Sequence, residues 1–180
     1  VAMLYGVISC FLLIRYLRNI FRLALTLRKN PVVRYYGTRL VLVDDAVSPY
    51  SFLNFIFVNR HDFEDGLIKD ELLAHEYVHC VQFHSVDILI TEIFKIIFWF
   101  NPLIWIISMS VKLNHEYLAD SNVISKYDID GYQHALLNIV FRNNSIYLAS
   151  HFNYSSVKKL LIMMEKKKSD TMVLRMIFTI

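Results

Sequence analysis

An apolar stretch from Ile88 to Val111 separates two groups of potential metal-binding side chains, and that arrangement limits how the chain can fold. The stretch is interrupted only by Thr91, Glu92, Lys95, Asn101-Pro102, Ser108 and Ser110. As one straight helix it would reach about 36 Å, enough to cross the hydrocarbon core of a bilayer. His75, Glu76 and His79 precede it; Glu116 and Asp120 follow it. If both groups serve one ion they must end on the same side of the membrane, which a single crossing forbids. The expected solution is a re-entrant or helical hairpin bent near Asn101-Pro102, with arms of about 18 Å each, or a long helix lying in or beside the bilayer. The plain alternative is a pair of soluble core helices with Glu92 and Lys95 as an ordinary surface pair.

The first group, His75-Glu-Tyr-Val-His79, is an HExxH element. Residues four apart on a helix stack on one face, so both imidazoles can reach a single cation. Glu76 is offset by one position, beside the ion rather than on it, where a carboxylate can take a proton from the attacking water as general base. The pentapeptide alone arises by chance roughly once in a hundred chains of this composition. Glu116-Tyr-Leu-Ala-Asp120 strengthens it: on a helix these two carboxylates also lie one above the other. A catalytic zinc takes three protein ligands and keeps one position open, so Glu116 would complete a set with His75 and His79. Asp120 then suits the layer behind, accepting the free N–H of a ligating histidine. His115 is a candidate for stabilising an oxyanion or touching substrate, with helix capping as the alternative. His84, His134 and His151 read as ordinary polar residues, and Asp87 as the cap of the next helix, with orienting a ligand as the alternative.

A hydrophobic fraction of 56%, a mean hydropathy of +0.39 and 19% charged residues point to a membrane protein. The chain opens inside one apolar run and stops inside another, Met172 to Ile180, so it reads as a segment of a longer protein. Val1 to Ile14 lacks the basic leader and cleavage site of a signal peptide. Basic residues follow the first run (Arg15, Arg18, Arg22, Arg28, Lys29) and precede the last (Lys158, Lys159, Lys166 to Lys168). The positive-inside rule makes both flanks cytoplasmic, and their abutment on apolar segments favours lipid headgroups over nucleic acid. Cys10 and Cys80 cannot form a disulfide framework, which fits a reducing compartment.

The organisation expected is a transmembrane helix ending near residue 20, a cytoplasmic-facing catalytic domain over 21–165 that includes the 88–111 hairpin, and the start of a further span at 170–180. The fold class is mainly α with a small β accessory. Val32 to Val43, broken by Gly37, reads as a hairpin or two short strands, and Phe52 to Val58 as a third short strand or an interfacial aromatic segment. Helices are expected over about 66–84, 113–125 and 131–141.

His75-Glu-x-x-His79, Phe98-Trp-Phe-Asn-Pro102 and His115-Glu-Tyr-Leu-Ala-Asp120 together resemble the BlaR/MecR-type bacterial membrane metallopeptidases, and the Glu-x-x-Ala-Asp element is similar to that of other membrane gluzincins. That resemblance implies one zinc ion, Glu116 as third ligand, Asp120 behind it, and an endopeptidase that cleaves a regulatory protein or itself in signal transduction. It further implies a multi-pass protein of the bacterial inner membrane with flanking domains outside this segment. Members that sense β-lactams carry a penicillin-binding domain. Here Ser155-Ser-Val-Lys158 matches one of its motifs without the partners, so drug sensing gains no support. The alternative reading is a non-catalytic metal-binding signalling or scaffold module, against which the intact Glu76 argues.

Overall fold

The computed structural model describes residues 2–45, 47–128, 131, 132 and 134. Helix α1 (Ala2–Lys29) leads into strands β1 (Val32–Tyr35), β2 (Thr38–Val43), β3 (Tyr50–Phe52) and β4 (Phe55–Asn59). Helices α2 (Arg60–Glu64), α3 (Asp70–Val81), α4 (His84–Ile97) and α5 (Pro102–Ile124) follow.

The strands form one mixed sheet in the order β1-β2-β4-β3. β1 and β2 pair antiparallel through a turn at Tyr36-Gly37, where both residues have positive φ (42° and 88°), the twist a tight hairpin requires. β2 and β4 run parallel, Val41 opposite Phe57, and β3 pairs antiparallel with β4 at the sheet edge. The expectation of three strands is thus corrected to four: Phe52 to Val58 does not run straight but folds back at Leu53-Asn54, with Leu53 at φ 52°.

The two central strands are apolar on both faces because both faces are covered. Leu40, Leu42, Ile56 and Val58 pack against Leu73 and Cys80 of α3, with Tyr77 at the margin. Val41, Val43 and Phe57 point the other way, toward Leu23 and Leu27 at the basic end of α1. No residue of α1 is fully buried. By length and composition it is the one helix, among the described residues, that is able to cross a membrane.

Helix boundaries differ from the sequence expectation in informative ways. α3 starts at Asp70 rather than near Gly66, because Gly66 adopts φ +66° and ends α2 in a turn. It stops at Val81, because Phe83 enters the left-handed region (φ 55°) and caps α4, so the N-cap is Phe83 and not Asp87, which lies in the first turn. The apolar stretch is divided at Phe98–Asn101 between α4 and α5, with the Asn101 side chain accepting the Leu103 N–H and Pro102 in the first turn of α5. Asp87–His115, Glu92–Lys112 and Lys95–Trp105 contacts run in opposite order along the two helices, which makes them antiparallel neighbours. The separate helix expected at 113–125 is the continuation of α5, since nothing between Val111 and Leu113 breaks it. The expected helix over 131–141 lies outside the described residues apart from Gly131, Tyr132 and His134.

Candidate metal centre

Two elements carry the polar cluster, and each is anchored by its own apolar stripe. α3 is fixed to the sheet through Leu73 and Cys80, which turns His75 and His79 away toward α5. α5 buries Ser108, His115, Ala119, Asp120 and Val123, a run of helical spacing whose small members let the backbone come close. Glu116 and Asp120 thereby face α3.

His75 Nε2 and His79 Nε2 stand 3.0 Å apart. Glu116 closes the triangle, Oε2 at 3.4 Å from His75 Nε2 and Oε1 at 3.8 Å from His79 Nε2. One ligand atom from each of the three lies within 4.8 Å of the others. Donor atoms at about 2.0–2.1 Å from a tetrahedral zinc are separated by about 3.4 Å, the middle of the observed spread. Two nitrogen lone pairs and a carboxylate converging in this way suit a cation, and the nitrogen and oxygen donors suit a borderline ion such as zinc.

The layer behind His75 is dense. Asp120 Oδ1 is 2.9 Å from His75 Nδ1, and the Tyr132 hydroxyl donates to the same Oδ1 at 2.6 Å while lying 2.7 Å from His75 Nδ1. The His75 Nδ1–H is therefore shared between carboxylate and phenol, which leaves Nε2 as the free lone pair. Asp120 and Tyr132 are buried, and Asp120 Oδ2 has no hydrogen-bond partner among the described residues.

The charges of the cluster act strongly on one another. Burial works against charge on His75, yet the hydrogen bonds it donates to Asp120 and Glu116 outweigh it and push its pKa up to about 10. Burial and then the charge on His75 press His79 down to about 4. Glu116 is only partly buried; desolvation works against its charge, but the hydrogen bond it accepts from His75 holds its carboxyl below the usual range. Burial raises Glu76 to about 7, tempered by His75 and by hydrogen bonds from Ser51 on β3. Tyr132, desolvated beside Asp120, is driven far above the ordinary phenol range and stays neutral. Cys80, buried against the sheet, is pushed up to about 12, an unreactive thiol.

Glu76 is thus brought beside the triangle and not into it, and is held from the sheet edge by Ser51. His115 is buried, with Nε2 3.0 Å from Asp87 Oδ2. Two residues that sequence reasoning passed over contribute directly. Tyr132 had no signal at all, and His84, set aside as an ordinary polar residue, is buried with Nδ1 2.8 Å from His79 Nδ1.

Comparison with known proteins fits this geometry. A family profile described as BlaR1 peptidase M56 matches residues 62–164, more than half of the chain and the part that holds His75, Glu76, His79, His84, Glu116, Asp120 and Tyr132. The chain belongs to the BlaR1 peptidase M56 family. It is also 28% identical over 173 residues to the "Regulatory protein BlaR1" of Staphylococcus aureus, an alignment covering 89% of this chain and 27% of that protein. The chain therefore spans about a quarter of the length of this curated M56 relative.

Proposed function

We propose that this chain is the catalytic part of a zinc-dependent endopeptidase of the bacterial inner membrane, acting on a regulatory protein or on its own chain at the cytoplasmic face. The observation that carries the proposal is the triangle of His75 Nε2, His79 Nε2 and a Glu116 carboxylate with a second carboxylate, Glu76, beside it. His75, His79 and Glu116 would hold the metal. Zinc bound there supplies Lewis acidity, polarising a scissile carbonyl and making water easier to deprotonate.

Glu76 does the proton work. It takes a proton from the attacking water as that oxygen bonds to the carbonyl carbon, then delivers it to the amide nitrogen as the C–N bond breaks, leaving a carboxylic acid and an amine. A carboxyl pushed toward neutrality is well matched to both halves of that cycle. Ser51 keeps it at the sheet edge, and Asp120 with Tyr132 keeps His75 in the tautomer that presents Nε2.

Membrane apposition of the α4–α5 hairpin is supported by where its tip lies. Tyr5 donates to the Ile97 carbonyl at 2.9 Å and Ser9 to the Ile96 carbonyl at 3.3 Å. Those α1 positions are in its apolar part, Ser9 being about 9 Å along the helix from Arg15, the first basic residue. Exposed Ile90, Ile93, Phe94, Leu103, Ile106 and Ile107 would then face lipid while the metal centre stays at the opposite end of the hairpin.

The test pairs two variants of the full chain. Glu76→Gln is expected to retain one equivalent of zinc by elemental analysis and to lose chelator-sensitive self-cleavage, whereas Glu116→Ala is expected to lose zinc. Wild-type cleavage by Glu76→Gln would remove the base assignment, and a full equivalent of zinc in Glu116→Ala would move the third ligand elsewhere.

A further inference from the structure

His79 has two faces, and only one of them belongs to the triangle. Its Nε2 points to His75 and Glu116, while its Nδ1 lies 2.8 Å from Nδ1 of His84. Two ring nitrogens at that separation share a single proton, so one donates and the other accepts. An imidazole that offers Nε2 to a cation carries its proton on Nδ1. The direction follows: His79 Nδ1–H donates, His84 Nδ1 accepts, and His84 keeps its own proton on Nε2.

The surroundings hold the accepting ring in place. His84 is buried and lies flat on His115, with ring centroids 4.0 Å apart and planes 9° from parallel. His115 is anchored in turn by Asp87, one turn along α4 from His84, at 3.0 Å. Since His115 precedes Glu116 on α5, the stack joins the helix that carries a carboxylate of the triangle to the residue behind His79. Local backbone supplies the approach. On an unbroken helix His84 would sit about 140° around the axis from His79. Phe83 instead adopts φ 55°, an unfavourable conformation for a bulky residue, and α4 restarts with His84 turned back onto His79. Ser85 secures the new helix start by accepting the Leu53 N–H of the β3–β4 turn at 3.0 Å.

We propose that His84 is the positioning residue of His79: its neutral ring, braced by His115 and Asp87, accepts the Nδ1 proton of His79 and so directs His79 Nε2 at the metal. The two histidines are then supported differently, His75 by a carboxylate and a phenol and His79 by an imidazole. This proposal rests on the metal-centre reading above.

The experiment measures zinc affinity by chelator competition for the full chain and two variants. His84→Phe keeps a ring to stack on His115 but has no acceptor, whereas His84→Asn loses the ring and places an oxygen near the position of Nδ1. Loss of such a partner weakens metal binding about tenfold to a hundredfold, which is expected for His84→Phe, with His84→Asn recovering most of the loss. Nitrogen-15 spectra of zinc-loaded wild type are expected to show His84 protonated on Nε2 and a coupling between His79 Nδ1 and His84 Nδ1 across the hydrogen bond. Unweakened binding by His84→Phe, equal weakening in His84→Asn, or a proton on His84 Nδ1 would each overturn the role of His84 alone. A wild-type chain that binds no zinc would overturn the metal-centre reading as well.

Discussion

Replacing Tyr132 with Phe removes one hydroxyl from a fully buried position and changes almost nothing else, so its effect can be worked out in advance. The lost O–H donates to Asp120 Oδ1 at 2.6 Å, and its oxygen also lies 2.7 Å from His75 Nδ1. A hydrogen bond to a charged partner contributes about 1.5–3 kcal/mol, and no cavity larger than the oxygen is left to add to it. Asp120 has no spare partner on Oδ2 among the described residues, so the carboxylate is left to His75 Nδ1. For a chain of 180 residues each kcal/mol moves Tm by about 2–4 °C, so metal-free Tyr132→Phe should melt about 3–12 °C below wild type. Because the same hydroxyl helps fix the His75 tautomer, zinc affinity should fall about tenfold or more. Thermal melts in detergent with and without zinc, together with chelator competition, measure both. A melt within 1–2 °C of wild type and an unchanged affinity would refute the idea that the phenol is part of the support for His75.

Two other expectations follow from the same geometry. Ser51→Ala removes a hydrogen bond that favours the ionised form of Glu76, so the Glu76 pKa should rise above its value of about 7; the active, deprotonated form is lost as pH falls, and the acid limb of kcat/KM should therefore move to higher pH, with an unmoved limb counting against Ser51. Ile56→Ala empties a fully buried position on β4 that packs against α3 and should cost about 2–5 kcal/mol by denaturant titration, whereas a loss below 1 kcal/mol would mean that the sheet is not the platform on which α3 rests.

What could be read in the sequence was what obeys local geometry. His75 and His79 are a helical turn apart, and so are Glu116 and Asp120, so their shared faces follow from the 3.6-residue period. The division of the apolar stretch was legible because Asn101-Pro102 is a strong helix start and because two halves of one site cannot lie on opposite sides of a membrane. What escaped has physical reasons. Tyr132 is 57 residues from His75, and no spacing rule links them. His84 reads in sequence as an ordinary polar residue, and the left-handed Phe83 that turns it back onto His79 has no sequence signature. The fourth strand was missed for the same reason: Leu53-Asn54 folds the chain back without the glycine or proline that marks such turns. The helical period did place His115 on a different face from Glu116, but its pairing with Asp87 depends on how α4 and α5 lie against each other.

The zinc absorption edge of the loaded full chain bears most directly on the metal centre. Two imidazole nitrogens and an oxygen shell, all at about 2.0–2.1 Å, are the expected result. A sulfur shell at about 2.3 Å, or a third imidazole in place of the carboxylate, would contradict it.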